Sequence, residues 1–311
     1  MNRGIQVVAI VVNYSGSVDT LSCVSSLQSQ GILSMKVIVA DNGSIRSDID
    51  ELESGLPKNV VLCRMNRNLG YAAALNHVIM RELDRAEYFL LLNNDVVLAP
   101  KAVESLLRFL DENSEVGVAG PVVVSYMEPS IVRSAGAKIL WSRGTSVALK
   151  EGTKLANIPS LPRVVDYVAG CAMMVRRDAF LAVGLFDESY FMYGEEKEFC
   201  VRARRRGFET VCVPGSVVLH KEGATANKYP GLKTFYMTRN RFDFMRRYAS
   251  LGRLAIFMCF VTIVEPLSYY PRGLEADFGS HMRGVFSGLQ RLVGQPARSA
   301  SSSTSGSVID S

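Results

Sequence analysis

Short apolar runs alternate with amphipathic segments through the first half of the chain. Four runs have the length and composition of buried strands, at residues 7–12, 36–40, 60–64 and 88–92. Three segments carry apolar side chains at helical spacing, at residues 20–30, 71–83 and 100–112. This alternation, with short links between elements, predicts an α/β fold with a mainly parallel central sheet flanked by helices on both faces.

The second half of the chain is less regular. The predicted strands lie at residues 116–124, 167–176, 210–213 and 217–219. The predicted helices lie at residues 178–183, 195–206 and 232–248. Residues 126–165 contain turn signals and are expected to form a loop or a small hairpin over the site. We therefore expect three parts: an α/β domain over 1–230, a helical extension over 231–294, and a disordered Ser-rich tail over 295–311.

Composition narrows the class of protein. The chain has 311 residues, of which 48% are apolar, so it can bury a substantial core. Its six cysteines form no CxxC pair and no zinc-type cluster, which favours reduced thiols in the cytoplasm. Residues 201–253 hold twelve Lys or Arg against three Asp or Glu. A basic region of this kind attracts phosphates or anionic lipid, whereas nucleic-acid binding is disfavoured because no reading motif is present.

An apolar run over residues 254–264 follows this basic region and ends at Glu265-Pro266. Its eleven residues fall short of the roughly 20 that a membrane-spanning helix needs. A core helix and a segment in the membrane interface are both compatible with the pattern. Neighbouring arginines and tyrosines favour the interface, which predicts a peripheral protein on the cytoplasmic face of an anionic membrane.

The most informative motif is Leu90-Leu91-Leu92-Asn93-Asn94-Asp95, where an apolar strand runs directly into two amides and a carboxylate. The carboxyl edge of a parallel sheet is where open α/β proteins bind ligands. A carboxylate there suits Mg²⁺ or Mn²⁺ held together with a substrate phosphate. In isolation the motif is better explained as an Asn-Asp turn, so its interpretation depends on other segments.

Two further strand ends carry polar side chains. Asn13 follows the first strand and Asp41 opens the Asp-Asn-Gly-Ser segment after the second. Either side chain can hydrogen-bond a nucleobase or a ribose. Taken alone, Asn13 is better explained by an ordinary strand-to-helix turn, and Asp41 has the common alternative of an Asx turn. The segment over 66–76, NRNLGYAAALN, places Gly70 and small residues at a helix start, where an anion can approach, and Arg67 adds positive charge. It matches neither the GxGxxG nor the Walker pattern.

Aromatic and acidic residues are dense over 186–199. An aromatic wall that contains a carboxylate suits sugar binding and general-base catalysis, although acids at a helix start also favour the helix dipole. His220 follows the strand over 217–219. A lone histidine is more often structural than a ligand, but at a strand end it can complete a metal site with Asp95.

Taken in order, these segments resemble the family 2 inverting glycosyltransferases of the GT-A fold, particularly their rhamnosyltransferase-like branch. The resemblance covers residues 5–248, and it is carried by the motifs DNGS, NRNLGYAAALN, LLLNND, GCAMMVRRDAFLAVGLFDESYFMYGEE and VPGSVVLH. It implies transfer of a sugar from a nucleoside-diphosphate donor to a glycan or lipid-linked acceptor, in cell-envelope polysaccharide synthesis. A deoxythymidine-diphosphate rhamnose donor is implied by the branch, and uridine-diphosphate sugars stay open.

The resemblance also implies roles for individual residues. Asp95 and His220 would hold Mg²⁺ or Mn²⁺, and Glu196 would be the catalytic base, at a position where the family usually has Asp. The family's following Val-Asp pair is Lys197-Glu198 here. The remaining predicted donor contacts are Asn13, Asp41, Arg67, Asn68, Gly70 and Asn93, together with Asp95. The predicted sugar and acceptor contacts are Gly170, Cys171, Met173, Tyr193 and Glu195.

Two other functions fit parts of the pattern. A nucleotidyltransferase shares the nucleotide-binding logic, but it would need a basic Gly-rich loop near the first strand, and residues 13–17 contain no Lys or Arg. A non-catalytic protein that binds nucleotide sugars or glycans is suggested by the Glu-Glu pair at 195–196.

Overall fold

The computed structural model describes residues 6–221, 231–269 and 275–294. The strands within these ranges are Val7–Asn13 (β1), Met35–Asp41 (β2), Val61–Arg64 (β3), Tyr88–Asn93 (β4), Val96–Leu98 (β5), Val116–Ser125 (β6), Val132–Ser134 (β7), Ala137–Leu140 (β8), Thr145–Ala148 (β9), Arg163–Val164 (β10), Ala172–Arg176 (β11) and Glu209–His220 (β12). The helices are Ser17–Gln28 (α1), Arg46–Gly55 (α2), Tyr71–Glu82 (α3), Ala102–Glu112 (α4), Arg177–Val183 (α5), Glu195–Arg205 (α6), Leu232–Tyr248 (α7), Leu251–Cys259 (α8), Glu265–Tyr269 (α9) and Glu275–Gly294 (α10).

Ten strands form the central sheet, in the order β10-β12-β6-β11-β4-β1-β2-β3, with β5 beside β12 and β7 beside β6. The strands β4, β1, β2 and β3 are parallel, as expected from the strand and helix alternation. The sheet as a whole is mixed, because β11 runs antiparallel between β4 and β6. The sequence predicts a strand here, at residues 167–176, but not its direction, since the irregular connection before it allows either direction.

Both faces of the sheet are covered, which explains why its strands are apolar without alternation. Along β1, Val8 and Ile10 face one core while Val7 and Ala9 face the other. The first core is covered by α3, α5 and α6, and the second by α1, α2 and α4. The doubly wound arrangement therefore holds all parallel strand ends at one edge.

Several element boundaries differ from the sequence predictions. Helix α2 had no prediction, since its mostly polar sequence carries few apolar positions. Strand β12 continues through Pro214 as one twelve-residue strand, and a register shift between Val213 and Val217 absorbs the proline. Strand β6 likewise runs unbroken past Pro121. Residues 126–165 contain the β8–β9 hairpin that the turn signals suggested.

The C-terminal helices share a third core with the α/β part. Phe242 and Phe244 of α7 and Phe257 of α8 pack there with Ile139 of β8 and Val201 of α6. Residues on both sides of the predicted boundary at 230 thus pack in one shared core. The boundary itself falls beside residues 222–230, and the predicted tail over 295–311 lies outside the described residues.

A continuous helix runs from Leu251 to Tyr269, through α8, a π-helical stretch at Phe260–Val264, and α9. Within the described ranges it alone is long and apolar enough to cross a membrane, by length and composition, and 17% of its most apolar window is buried. The expectation that this segment is too short to span was wrong, because residues on both sides of 254–264 extend the helix to 19 residues.

Candidate active site

The carboxyl edge of the parallel strands gathers the first polar side chains. Asn13 at the end of β1 pairs in register with Asp41 at the end of β2. Val12 pairs with Asn93 at the end of β4, so Asn93 lies at the same edge. The sheet therefore brings together the three strand ends that the motifs identified.

Asn13 is the centre of a buried hydrogen-bond network at this edge. Its Nδ2 donates to Asp41 Oδ1 at 2.9 Å and to Asp48 Oδ2 at 2.9 Å. Its Oδ1 accepts from Thr20 Oγ1 at 2.8 Å, and Ser44 Oγ donates to the Asp41 carboxylate. Asn13 and Asp41 are fully buried, so in this structure they organise the loops, and their contact with a base or ribose stays a prediction.

Asn42, which sequence reasoning did not single out, joins the Asp-Asn-Gly-Ser segment to the segment over 66–76. Its Nδ2 donates to Asn68 Oδ1 at 3.0 Å, and its Oδ1 accepts from the Leu69 N–H at 2.9 Å. Asn68 Oδ1 also accepts from the Gly70 N–H at 2.9 Å. Arg67 is exposed on the same loop. Asn42 and Asn68 thus hold the two loops together.

The start of α3 is less open than predicted. The Tyr71 N–H donates to the Phe191 carbonyl at 2.7 Å, which occupies a donor that an anion would otherwise use. A Cβ at Gly70 would lie 2.5 Å from that carbonyl oxygen, so glycine is required for the close approach. Gly70 therefore allows the segment over 66–76 to pack against the aromatic segment over 186–199.

Asp95 and His220 form the predicted metal-binding pair. Asp95 lies in the turn between β4 and β5, and His220 ends β12, which pairs antiparallel with β5. His220 Nε2 lies 3.1 Å from Asp95 Oδ1. Strands that are distant in sequence thus bring one oxygen and one nitrogen ligand together.

This pair fits the family's divalent ion. Mg²⁺ and Mn²⁺ in nucleotide sites use one or two protein ligands, with substrate phosphates and water completing the shell. No group of three or more His, Cys, Asp or Glu side chains arranged for a metal occurs in the described part of the chain. Asp95 and His220 would therefore bind the ion together with the donor's diphosphate.

The Glu195-Glu196 pair starts α6 after two residues in left-handed backbone, Tyr193 and Gly194. Glu196 Oε2 accepts from the Gly194 N–H at 3.0 Å. Burial raises the pKa of Glu196, and burial together with the charge of Glu196 raises that of Glu195. Glu195 Oε2 is buried with no hydrogen-bond partner among the described residues. Such raised carboxyl pKa values are typical of general acid–base sites.

Two tyrosines connect the metal pair to the Glu pair. Burial raises the pKa of Tyr71, and the negative charges of Glu195, Glu196 and Asp95 raise it further. Tyr193 has a raised pKa because of burial and then the charges of Glu195 and Asp95. The charges of Asp95 and of the Glu pair therefore act on the same tyrosine, Tyr71. Tyr71 was predicted only as a helix start, and no spacing signal identifies its role.

Other predicted sugar contacts have different surroundings. Gly170 faces Glu196, since a Cβ there would lie 3.2 Å from Glu196 Cγ, and its carbonyl accepts from Tyr71 Oη at 3.2 Å. Cys171 is buried, and its carbonyl accepts the Asn93 N–H at 2.9 Å. Met173 is 2% exposed and lies in the hydrophobic core. The prediction of Met173 as a sugar contact is corrected, because the pleat of β11 turns its side chain toward the core.

A cavity of about 390 Å³ opens beside Glu196. The β8–β9 turn provides one wall at Gly144, and α7 provides another through Thr238 and Arg241. Glu265 and Tyr269, from the long apolar helix, complete it. Sequence reasoning did not assign the α7 residues to the site, since nothing local marks which face of a basic helix lines a pocket.

Comparison with known proteins agrees with this site. The model of the family named Glycosyl transferase family 2 matches residues 8–184. The chain belongs to this family and is a glycosyltransferase that uses nucleotide sugars. The GT-A-like fold and the rhamnosyltransferase-like branch expected from the sequence are confirmed.

Relatives and a solved structure extend the comparison. The chain is 28% identical over 242 residues to the N-acetylglucosaminyl-diphospho-decaprenol L-rhamnosyltransferase of Mycobacterium tuberculosis, covering 71% of this chain and 78% of the relative. It is 24% identical over 249 residues to the dTDP-rhamnosyl transferase RfbF of Shigella flexneri, covering 77% and 79%. The mannosyltransferase PcManGT from Pyrobaculum calidifontis, solved with GDP-Man and Mn²⁺, shares the fold at a TM-score of 0.58 and 13% identity, over 95% of this chain and 77% of that one.

Proposed function

We propose that this protein transfers rhamnose from a deoxythymidine-diphosphate donor to a lipid-linked sugar acceptor, with inversion at the anomeric carbon. The observation that carries the proposal is the pairing of His220 with Asp95 at 3.1 Å, together with the buried Glu195-Glu196 pair at the start of α6, where the Gly194 N–H holds the Glu196 carboxylate. A donor diphosphate near Asp95 and an acceptor hydroxyl near Glu196 would approach the anomeric carbon from opposite sides. The choice of rhamnose is supported by the names of both relatives.

In this mechanism the acceptor oxygen forms a bond to the anomeric carbon as the bond to the donor phosphate oxygen breaks. Glu196 removes the acceptor hydroxyl proton, and the Gly194 N–H holds the receiving carboxylate in position. A divalent ion at Asp95 and His220 would supply positive charge to the departing diphosphate. One displacement inverts the anomeric centre.

The acceptor and the location are proposed from the same relatives and from the C-terminal helices. The Mycobacterium tuberculosis relative is named for an acceptor in which N-acetylglucosamine is linked through a diphosphate to decaprenol. The long helix of this chain leaves large apolar side chains exposed, including Ile263 and Leu267. Its Glu265 is tied to Arg241 of α7 at 2.6 Å. This ion pair supports a helix that lies along the membrane interface on the cytoplasmic side, where a lipid-linked acceptor is found.

The first test identifies the product of donor turnover. Purified protein with Mn²⁺ or Mg²⁺, dTDP-rhamnose and an N-acetylglucosaminyl-diphospho-alkyl acceptor is expected to release dTDP and form a rhamnosylated acceptor of inverted configuration, read by NMR. Chelation of divalent ions should stop transfer, and Asp95→Asn should reduce it by about a hundredfold or more, because the site loses a charged ligand. Release of pyrophosphate would identify a nucleotidyltransferase, and absence of turnover with any nucleotide sugar would leave a binding protein.

A further inference from the structure

The cavity beside Glu196 contains two buried cations that the transfer chemistry does not use. Lys197 is 8% exposed and Arg241 is 6% exposed, and both line this cavity. Burying an ammonium or guanidinium group is costly unless it is paired. The partners of these two groups therefore indicate what else the cavity is built to hold.

Lys197 lacks a carboxylate partner. Its Nζ donates to the Gly144 carbonyl at 3.3 Å and lies 4.4 Å from the centre of the Phe244 ring. No ion pair to Lys197 is formed within the described ranges 6–221, 231–269 and 275–294. Burial lowers its pKa to about 8, so the ammonium form still dominates at neutral pH. A buried ammonium group that has no ion pair is stabilised by any anion that enters the cavity.

Arg241 is only partly satisfied. Its Nη2 donates to Glu265 Oε2 at 2.6 Å and its Nη1 to Glu265 Oε1 at 3.3 Å. Its Nε is buried with no hydrogen-bond partner in the described part of the chain. The charged groups lining the cavity are thus Lys197, Arg241, Glu265 and Glu196. Glu265 is already paired with Arg241, and the Glu196 carboxylate accepts from the Gly194 N–H, so among these described lining residues the Lys197 ammonium is left without an ion pair and can receive an anion.

The position of the cavity identifies the kind of anion. One part of the lining is Glu196, and another part, at Glu265 and Tyr269, belongs to the exposed apolar helix. A ligand that extends between these parts has a sugar at the base, a charged centre at Lys197, and an apolar tail toward the helix. A nucleotide donor lacks such a tail.

We infer that this cavity binds the diphosphate that joins the acceptor sugar to its lipid, with the Lys197 ammonium as its main contact and Arg241 as a second. The inference rests on the proposed function, because it concerns the acceptor of that reaction. Lys197 is a binding and specificity residue here, since its contact is with the diphosphate and the reacting hydroxyl belongs to the sugar. It also gives a physical reason for a lysine directly after the base.

The test compares two acceptors that differ only in the diphosphate: N-acetylglucosaminyl-diphospho-decyl and the decyl glycoside of N-acetylglucosamine. The unaltered protein is expected to have a KM about tenfold or more lower for the diphosphate acceptor, because charge-assisted hydrogen bonds are strong. Lys197→Met should remove this difference in acceptor KM while leaving donor KM within about twofold. The comparison is made at a pH above the acid limb of the rate, because the Lys197 charge lowers the pKa of Glu196. Lys197→Arg should retain most of it. Lys233→Met, at an exposed position of α7, is the matched control and should change neither value.

An equal loss on both acceptors, or an unchanged preference in Lys197→Met, would overturn the inference. A binding measurement keeps it testable without turnover: farnesyl diphosphate should bind the unaltered protein about tenfold more tightly than it binds Lys197→Met, and farnesol should bind both equally. Failure to bind farnesyl diphosphate rejects the inference even if transfer is observed. Absence of transfer with retained, Lys197-dependent binding rejects only the proposed function. Equal competition by short-chain phosphatidylglycerol would assign the cavity to a membrane lipid and also overturn the inference.

Discussion

At the scale of single residues, the position of Glu196 depends on a few close contacts. Its carboxylate accepts the Gly194 N–H, and the absence of a Cβ at Gly170 leaves room for its side chain. Glu198, the second departure from the family's usual helix pair, has a structural role. Arg202 Nε donates to its two oxygens at 2.8 and 2.9 Å, and Tyr248 Oη donates to one of them. Of the two positions that differ from the family's usual pair, Lys197 therefore lines the cavity, and Glu198 connects α6 to α7.

Replacing the base gives the most direct test at this scale. Glu196→Gln keeps the size of the side chain but removes its proton-accepting charge, so transfer should fall by about 10²–10⁴-fold. Donor binding, measured by calorimetry with dTDP and Mn²⁺, should stay within about twofold. Glu196→Asp should retain measurable transfer. Glu209→Gln, at an exposed position of β12, serves as the control, and full activity of Glu196→Gln would contradict the base assignment.

The pH dependence of transfer follows from the same residue. The base works as the carboxylate, and burial raises the pKa of Glu196 even though the Gly194 N–H and the Lys197 charge oppose this. The rate should therefore rise with pH through a pKa above the ordinary value of about 4.3 for glutamate. In Glu196→Gln this acid limb should disappear from any residual rate. An acid limb at or below the ordinary glutamate value would contradict the burial argument.

At the scale of elements, two loops at the sheet edge fit closely together. Gly43 has a φ of +80°, and a Cβ there would lie 2.6 Å from both Arg67 Cα and Asn68 N. Gly31 also has a positive φ, +67°, but has no neighbour within 4 Å of a Cβ. A substitution at Gly31 would therefore cost only the free energy of left-handed backbone. A substitution at Gly43 would add the free-energy cost of the clash between the two loops.

Substitution of both glycines by alanine uses this difference. Gly31→Ala should destabilise the protein by about 1–2 kcal/mol, the cost of left-handed backbone. Gly43→Ala should cost about 1–3 kcal/mol more, because the loops must move apart. It should also weaken dTDP binding. Urea unfolding measures the first effect and calorimetry the second, and equal destabilisation by both substitutions would show that the loops do not need this contact.

At the scale of the whole molecule, two of the C-terminal helices expose large apolar side chains. Ile263 and Leu267 on the long helix are exposed, as are Phe278, Met282 and Phe286, which are spaced four residues apart along α10. Exposed apolar side chains on helices, beside a basic region of sequence, are typical of proteins that lie on anionic membranes.

Vesicle binding tests this surface. The protein should sediment with vesicles rich in phosphatidylglycerol, with only partial release by salt, since apolar burial contributes to binding. Ile263→Asp combined with Leu267→Asp should weaken binding about tenfold or more. Leu33→Asp, at a fully exposed apolar position between α1 and β2, should leave vesicle binding unchanged. A protein that stays in the supernatant at low salt would exclude the proposed membrane location.

How much could be predicted differs between the fold and the site. The parallel strands and their helices were predictable, because buried strands and amphipathic helices have local sequence patterns. The antiparallel insertion of β11 and the continuity of β12 through Pro214 were not, since strand direction and pairing depend on residues far apart in sequence. The Asp95 and His220 pair was predicted through family resemblance, and the structure places their side chains within 3.1 Å.

The sequence by itself determined the alternation of elements, the family, and which residue types end each strand, because these depend on local periodicity and short motifs. Only the tertiary structure decided that Asn13 and Asp41 are bound within a buried network and that Met173 faces the core. It also decided that Lys197 lies unpaired by carboxylates in a cavity between the base and an apolar helix. Burial and pairing arise from contacts between distant segments, and no local pattern contains them.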